Sequence, residues 1–183
     1  MGTTTAIAFR SGVLLMALLS LGVPRAPAQQ SESPDTLLPL NVLKHERSFT
    51  SLKEALVHPE QVRKLSLAND ELTYFPKEIL LLPNLQWLNL SGNRISRLPP
   101  EISRLTELQV LNLFNNRLER LPMSLGELTH LKKLYLSANR LHQLPASIQS
   151  LDQLYYLDLT GNGFSRYQIR QYRLLLPAVT IDY

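Results

Sequence analysis

The residues that could do chemistry are few in this chain of 183 residues. Four histidines, His45, His58, His130 and His142, are the types that move protons near neutral pH or ligate zinc. Zinc ligands must converge to within about 2 Å of one ion, and these four show no metal-ligand spacing, so no metal site is expected. Cysteine is absent, which excludes a thiolate metal site, a cysteine nucleophile and a disulfide framework. No G-x-S-x-G, phosphate-binding loop, H-E-x-x-H or paired-carboxylate arrangement occurs. Asp158 has no histidine beside it in the pattern that follows. No catalytic residue and no cofactor are expected, and the chain is read as non-enzymatic. The remaining chemistry is recognition, by Trp87, Phe114, Tyr135 and Tyr156 with polar neighbours Asn89, Asn112, Asn115, Lys133 and Asp158.

These residues lie in a repeat. Segments 85–107, 108–130 and 131–153 align without a gap, each 23 residues long. Units 62–84 and 154–176 fit more loosely at the two ends, the last in its first half only. In 108–130, Leu108, Leu111 and Leu113 surround Val110 and Asn112 with the alternation of a short strand. Asn116 and Leu118 turn the chain, Pro122 ends the turn, and Leu125 and Leu128 follow at the spacing of a short helical or 3-10 turn. One such unit cannot bury its leucines alone; stacked units share a core, with parallel strands on one side. The 41 leucines of the chain are explained mostly by this period.

The pattern L-x-x-L-x-L-x-x-N-x-L-x-x-L-P-x-x-I/L-x-x-L resembles leucine-rich repeats of the 23-residue type over 62–176. The resemblance implies an α/β solenoid: a right-handed horseshoe with parallel strands on the concave face and short helices or 3-10 turns on the convex face. With an apolar N-terminus and cysteine-free ends, the chain is similar to small exported bacterial leucine-rich repeat proteins.

Within the repeat, Asn93, Asn116, Asn139 and Asn162 form one column. Each sits where the strand turns inward, and its amide can bond turn backbone of its own and the adjacent unit. This reads as a structural ladder; Asp70, at the same position in the first unit, cannot donate when ionised. Arg94, Arg117 and Arg140 make a second column, and Arg97, Arg120 and Arg166 a third with Gln143 between. They read either as solvated side chains with stems over leucine or as a basic rim for an acidic partner. The third, fifth, seventh and eighth positions of each unit point outward from the strand. They carry Trp87, Asn89, Asn112, Phe114, Asn115, Lys133, Tyr135, Tyr156 and Asp158, and Val110 as well. Four rings on one sheet face, with the core already filled by leucine, read as one aromatic recognition patch.

The ends need closing, because an open solenoid end exposes core. Ser51 and Glu54 match a capping box, so residues 48–61 read as an N-terminal helical cap, with the helix over 51–58 and Pro59 closing it. The repeats run over 62–166. Residues 167–176 read as a longer helix and 179–181 as a last strand, so 167–183 reads as a C-terminal cap and the chain as complete. Residues 1–28 read as a signal peptide: Arg10, an apolar run over 13–23, then Pro24 and the small-x-small site at 26–28. The run is shorter than the roughly 20 residues a membrane span needs. Residues 29–47 read as a linker, although Leu37, Leu38, Leu40, Val42 and Leu43 could pack on the domain edge. Removing the signal leaves 17 bases against 15 acids, too small an excess to argue for nucleic acid. The expectation is therefore an exported, periplasmic or secreted, monomeric module. It would bind a protein or peptide, or a glycan by ring stacking, through its concave face. If 1–28 is not a signal, the alternative is a cytoplasmic signalling scaffold of the Ras-suppressor-like type.

Overall fold

Each repeat spends its three alternating strand residues on a short strand, and the 23-residue count brings the next strand alongside. In the computed structural model, which describes residues 37–183, six strands form one parallel sheet in chain order. They are β1 (Lys64–Ser66), β2 (Trp87–Asn89), β3 (Val110–Asn112), β4 (Lys133–Tyr135), β5 (Tyr156–Asp158) and β6 (Thr180–Asp182). Equivalent residues pair: Leu65 with Leu88, Leu88 with Leu111, Leu111 with Leu134 and Leu134 with Leu157. The signal expected over 1–28 and the linker residues 29–36 lie outside the described residues.

The opposite wall is built from 3-10 turns at Lys77–Leu81, Pro100–Arg104, Met123–Glu127 and Ala146–Ser150. Each follows Pro76, Pro99, Pro122 or Pro145, whose φ lies between −66° and −71°. The ring fixes that φ and removes a donor, so the strand ladder cannot continue and the turn begins. Between the walls runs one leucine core. Leu65, Leu88, Leu111, Leu134 and Leu157 are fully buried in it, joined by Ile79, Ile102, Leu125 and Ile148 from the 3-10 side. The result is a leucine-rich repeat horseshoe, with the outward face of the sheet as its concave side.

The N-terminal end departs from expectation. Helix α2 spans only Leu52–Ala55, shorter than 51–58. Ser51 accepts from the Glu54 amide at 3.4 Å, but the Glu54 carboxylate pairs with Arg47 and does not complete a capping box. His58, preceding a proline, is driven out of the helical region (φ −137°, ψ 71°), and Pro59 opens a 3-10 turn, Pro59–Gln61, where it was expected to close the segment. Phe49 bridges to Leu65 and adds one residue of ladder at the edge of β1.

Of the residues in 37–47 that could pack on the domain edge, two do. Helix α1 is a single turn, Leu40–Leu43, and Leu38 and Leu43 are buried. At the other end, α3 (Arg166–Leu175) starts from a full capping box between Ser165 and Gln168. Its Ile169, together with Leu176 and Ile181, covers the last leucines, and the Tyr172 hydroxyl accepts from the Leu144 amide at 3.0 Å. β6 pairs with β5 one residue out of step with the other pairs, Tyr156 opposite Thr180.

Candidate functional site

The asparagine column faces inward, and its bonds are the same in every unit. Asn93 Nδ2 donates to the Leu67 and Leu90 carbonyls at 2.8 and 2.9 Å, while its Oδ1 accepts from the Leu72 amide at 3.0 Å. Asn116 bonds Leu90, Leu113 and Ile95, Asn139 bonds Leu113, Leu136 and Leu118, and Asn162 bonds Leu136, Leu159 and Leu141. One amide thus satisfies backbone of two adjacent units, so these residues are structural. Asp70, which lacks the donor, is exposed.

Two outward columns also serve the backbone. Asn89, Asn112 and Asp158 each accept from the amide two residues on, at 3.0 Å, closing the turn after their strands. Asn69, Gly92, Asn115, Ala138 and Gly161, at the eighth position of successive units, all have φ between 52° and 70°. Asparagine and glycine tolerate that left-handed geometry; alanine does so at a cost. At Gly92 a Cβ would stand 2.0 Å from Asn69 Oδ1, so no side chain fits without displacing that amide. Asn115 therefore answers a backbone requirement as well as facing outward.

The four rings do not form one patch. Tyr135 and Tyr156 pair with centroids 5.3 Å apart, tilted by 53°. Phe114 is exposed, two positions further along the strand direction. Trp87 lies apart, with the Lys64 ammonium 4.7 Å over its ring. Val110 and Lys133 separate Trp87 from Tyr156 in the same column, and although Val110 points outward it is only 1 % exposed. The expected single patch is thus divided into an open C-terminal half and a covered N-terminal one. Lys133 is drawn to the Tyr155 ring, 5.6 Å away.

The open half ends in two acids. Asp158 accepts from the Ser137 hydroxyl at 2.6 Å, and Asp182, its register partner, accepts from the Tyr156 hydroxyl at 2.6 Å. The bond to Asp182, burial, and the charges of Asp182 and Asp158 push the Tyr156 phenol up to about 12. Tyr156 is thus held protonated and fixed in orientation. Among the described residues no group of three or more His, Asp or Glu side chains could hold a metal, and no helix is long and apolar enough to cross a membrane.

The arginines stand on the flank, away from the strands. Arg94, Arg117 and Arg140 are exposed, and Arg94 reaches Glu71 at 3.5 Å. The concavities on this flank are lined by Arg97, Glu119 and Arg120, and by Arg120, Arg140 and His142; the first holds about 350 Å³. The groove thus draws on the third column more than the second. The residues that sequence reasoning passed over are Gln86 and Gln109, both buried at the second position of their units. Their signal was an amide repeated one period apart.

Family comparisons agree with this geometry. A leucine-rich repeat model of two copies matches residues 83–128, and a second leucine-rich repeat model matches 106–164. A leucine-rich repeat protein of Leptospira interrogans superposes with a TM-score of 0.69 at 34 % identity, over 80 % of this chain and 40 % of that one. The BIR2 ectodomain of Arabidopsis thaliana gives 0.52 at 32 % identity, over 58 % and 59 %. An internalin of Listeria monocytogenes gives 0.55 at 21 % identity, over 74 % and 38 %, a likeness of fold alone. No curated protein matches. The chain spans less than two thirds of the length of these solved structures. Repeat, sheet and matches make the chain a leucine-rich repeat protein.

Proposed function

We propose that this chain is a non-catalytic protein-binding module, exported and monomeric, and that its partner docks on the open C-terminal half of the concave face. Leucine-rich repeat folds generally mediate protein binding. The observation that carries the reading is the Tyr135–Tyr156 pair with exposed Phe114 beside it, on a sheet face whose core is already filled by leucine. Rings held in place bury area at little entropic cost, which suits them as anchors. Asn112, Lys133 and Asp158 would supply the polar rim, and Arg140, Arg97 and Arg120 a basic flank for acidic side chains of the same partner.

The test compares immobilised chain with a Phe114→Ala/Tyr135→Ala variant for capture of proteins from the secreted and envelope fractions of the source cells. Thermal unfolding should be nearly unchanged and capture should fall; equal capture by both would refute the patch. Capture that ignores added salt would remove the arginine flank from the site. Export rests on residues 1–28, and the mass of the mature N-terminus decides it: cleavage near Gln29 is expected. An uncleaved chain would favour the intracellular scaffold.

A further inference from the structure

Three buried apolar residues do not belong to the leucine core: Leu38, Leu43 and Val110. Val110 faces out from β3, so something on the concave side must cover it. The segment over 37–44 is bonded at both ends to outer residues of the first three units. The Leu38 amide donates to Gln86 Oε1 at 2.9 Å, Gln109 Nε2 donates to the Leu38 carbonyl at 2.8 Å, and Lys64 Nζ donates to the Lys44 carbonyl at 2.9 Å.

The two glutamines read main chain. Gln109 Nε2 also donates to Gln86 Oε1 at 3.0 Å, and Lys132 Nζ holds Gln109 Oε1 at 2.7 Å, which fixes the orientation of both amides. Together they present one acceptor and one donor to a single residue of extended backbone. Leu38 meets that geometry because Pro39 follows it and excludes the helical region. Both glutamines are about 1 % exposed or less with the segment in place.

We propose that Gln86, Gln109 and Val110 form a peptide-recognition site, filled in cis by residues 37–44, whose partner ligand is a peptide with two leucines five residues apart, the first extended and followed by proline. Main-chain bonds supply affinity and the two leucine seats supply selectivity, the logic of backbone-reading peptide sites. The cis segment acts as a competing occupant, so capture of a free peptide is weakened in proportion to the fraction of chains in which the site is open. This deepens the concave-face reading and rests on it only for the choice of face, since none of its residues belongs to the tyrosine patch.

The probe is a fluorescent ten-residue peptide with the sequence of residues 36–45, TLLPLNVLKH. It should bind the full-length Leu38→Ser/Leu43→Ser variant at least tenfold more tightly than the unaltered chain. Adding Gln86→Ala/Gln109→Ala should abolish the gain, and a probe with serine for both leucines should not bind. Equal affinity for released and unaltered chains, or a gain that survives loss of the glutamines, overturns the site. If the serine variant does not fold, hydrogen exchange on the unaltered chain decides. Amides of 38–44 should lose protection when 1 mM peptide, on the order of the effective concentration of a tethered segment, is added; unchanged protection overturns the proposal. Loss of capture in the Phe114/Tyr135 variant is scored separately, so either reading can fail alone.

Discussion

The two sides of the same strands obey different rules. On the inner side, Leu88, Leu111 and Leu134 repeat the same side chain, and Asn93, Asn116 and Asn139 repeat the same bonds to two carbonyls and one amide. On the outer side, the column Lys64, Trp87, Val110, Lys133, Tyr156 changes at every step, from stacked cation to buried valine to paired tyrosine. An inner residue packs against copies of itself one unit away, so every unit is under the same constraint. An outer residue answers to whatever lies over the face, and that differs from one end to the other.

Substitutions can break this contrast in order of size. Leu111→Ala leaves a cavity between two walls that cannot close, and should cost about 2–5 kcal/mol in chemical denaturation. Asn116→Ala strands the Ile95 amide and takes one of two asparagine donors from each of the Leu90 and Leu113 carbonyls, and should cost about 1–3 kcal/mol. A smaller loss than that of Asn112→Ala, whose one bond closes an exposed turn, would erase the distinction between the columns. Ala138→Gly relieves a left-handed alanine and should stabilise the fold by about 1 kcal/mol.

The smallest effect is a titration. The Tyr156 phenol is raised in the folded chain, so its contribution to stability is complete below the ordinary tyrosine value near 10 and is lost as pH rises toward about 12. Asp182→Asn should bring the phenol back toward 10, read by ultraviolet absorbance, and should shrink the loss of stability between those pH values. An unchanged titration would mean that Asp182 does not hold the ring.

The inner columns were legible in the sequence because each leucine names its own neighbour 23 residues on. The proline turns were legible from a fixed φ, and the C-terminal helix was expected over 167–176 where the fifth unit leaves the repeat; its start at Arg166, set by the Ser165 and Gln168 cap, came from the structure. The covered half of the outer face was not. Val110 reads as exposed by position yet is buried, and the segment over 37–44 carries no period that would tie it to Gln86 and Gln109. The N-terminal cap misled for a physical reason too: Glu54 had a competing partner in Arg47 outside the motif.

The constant register of β1 to β5 has an evolutionary corollary. Losing or gaining a residue within a strand turns its leucines to the other face, and one gained in a turn must be absorbed there, as between β5 and β6, whereas duplicating a block such as 85–107 adds one strand and one turn and leaves both ends untouched. Duplication of a whole block is therefore the change of length that leaves every existing column in place. Growth by duplication would widen the open face while the segment over 37–44 stayed with the block that carries its glutamines.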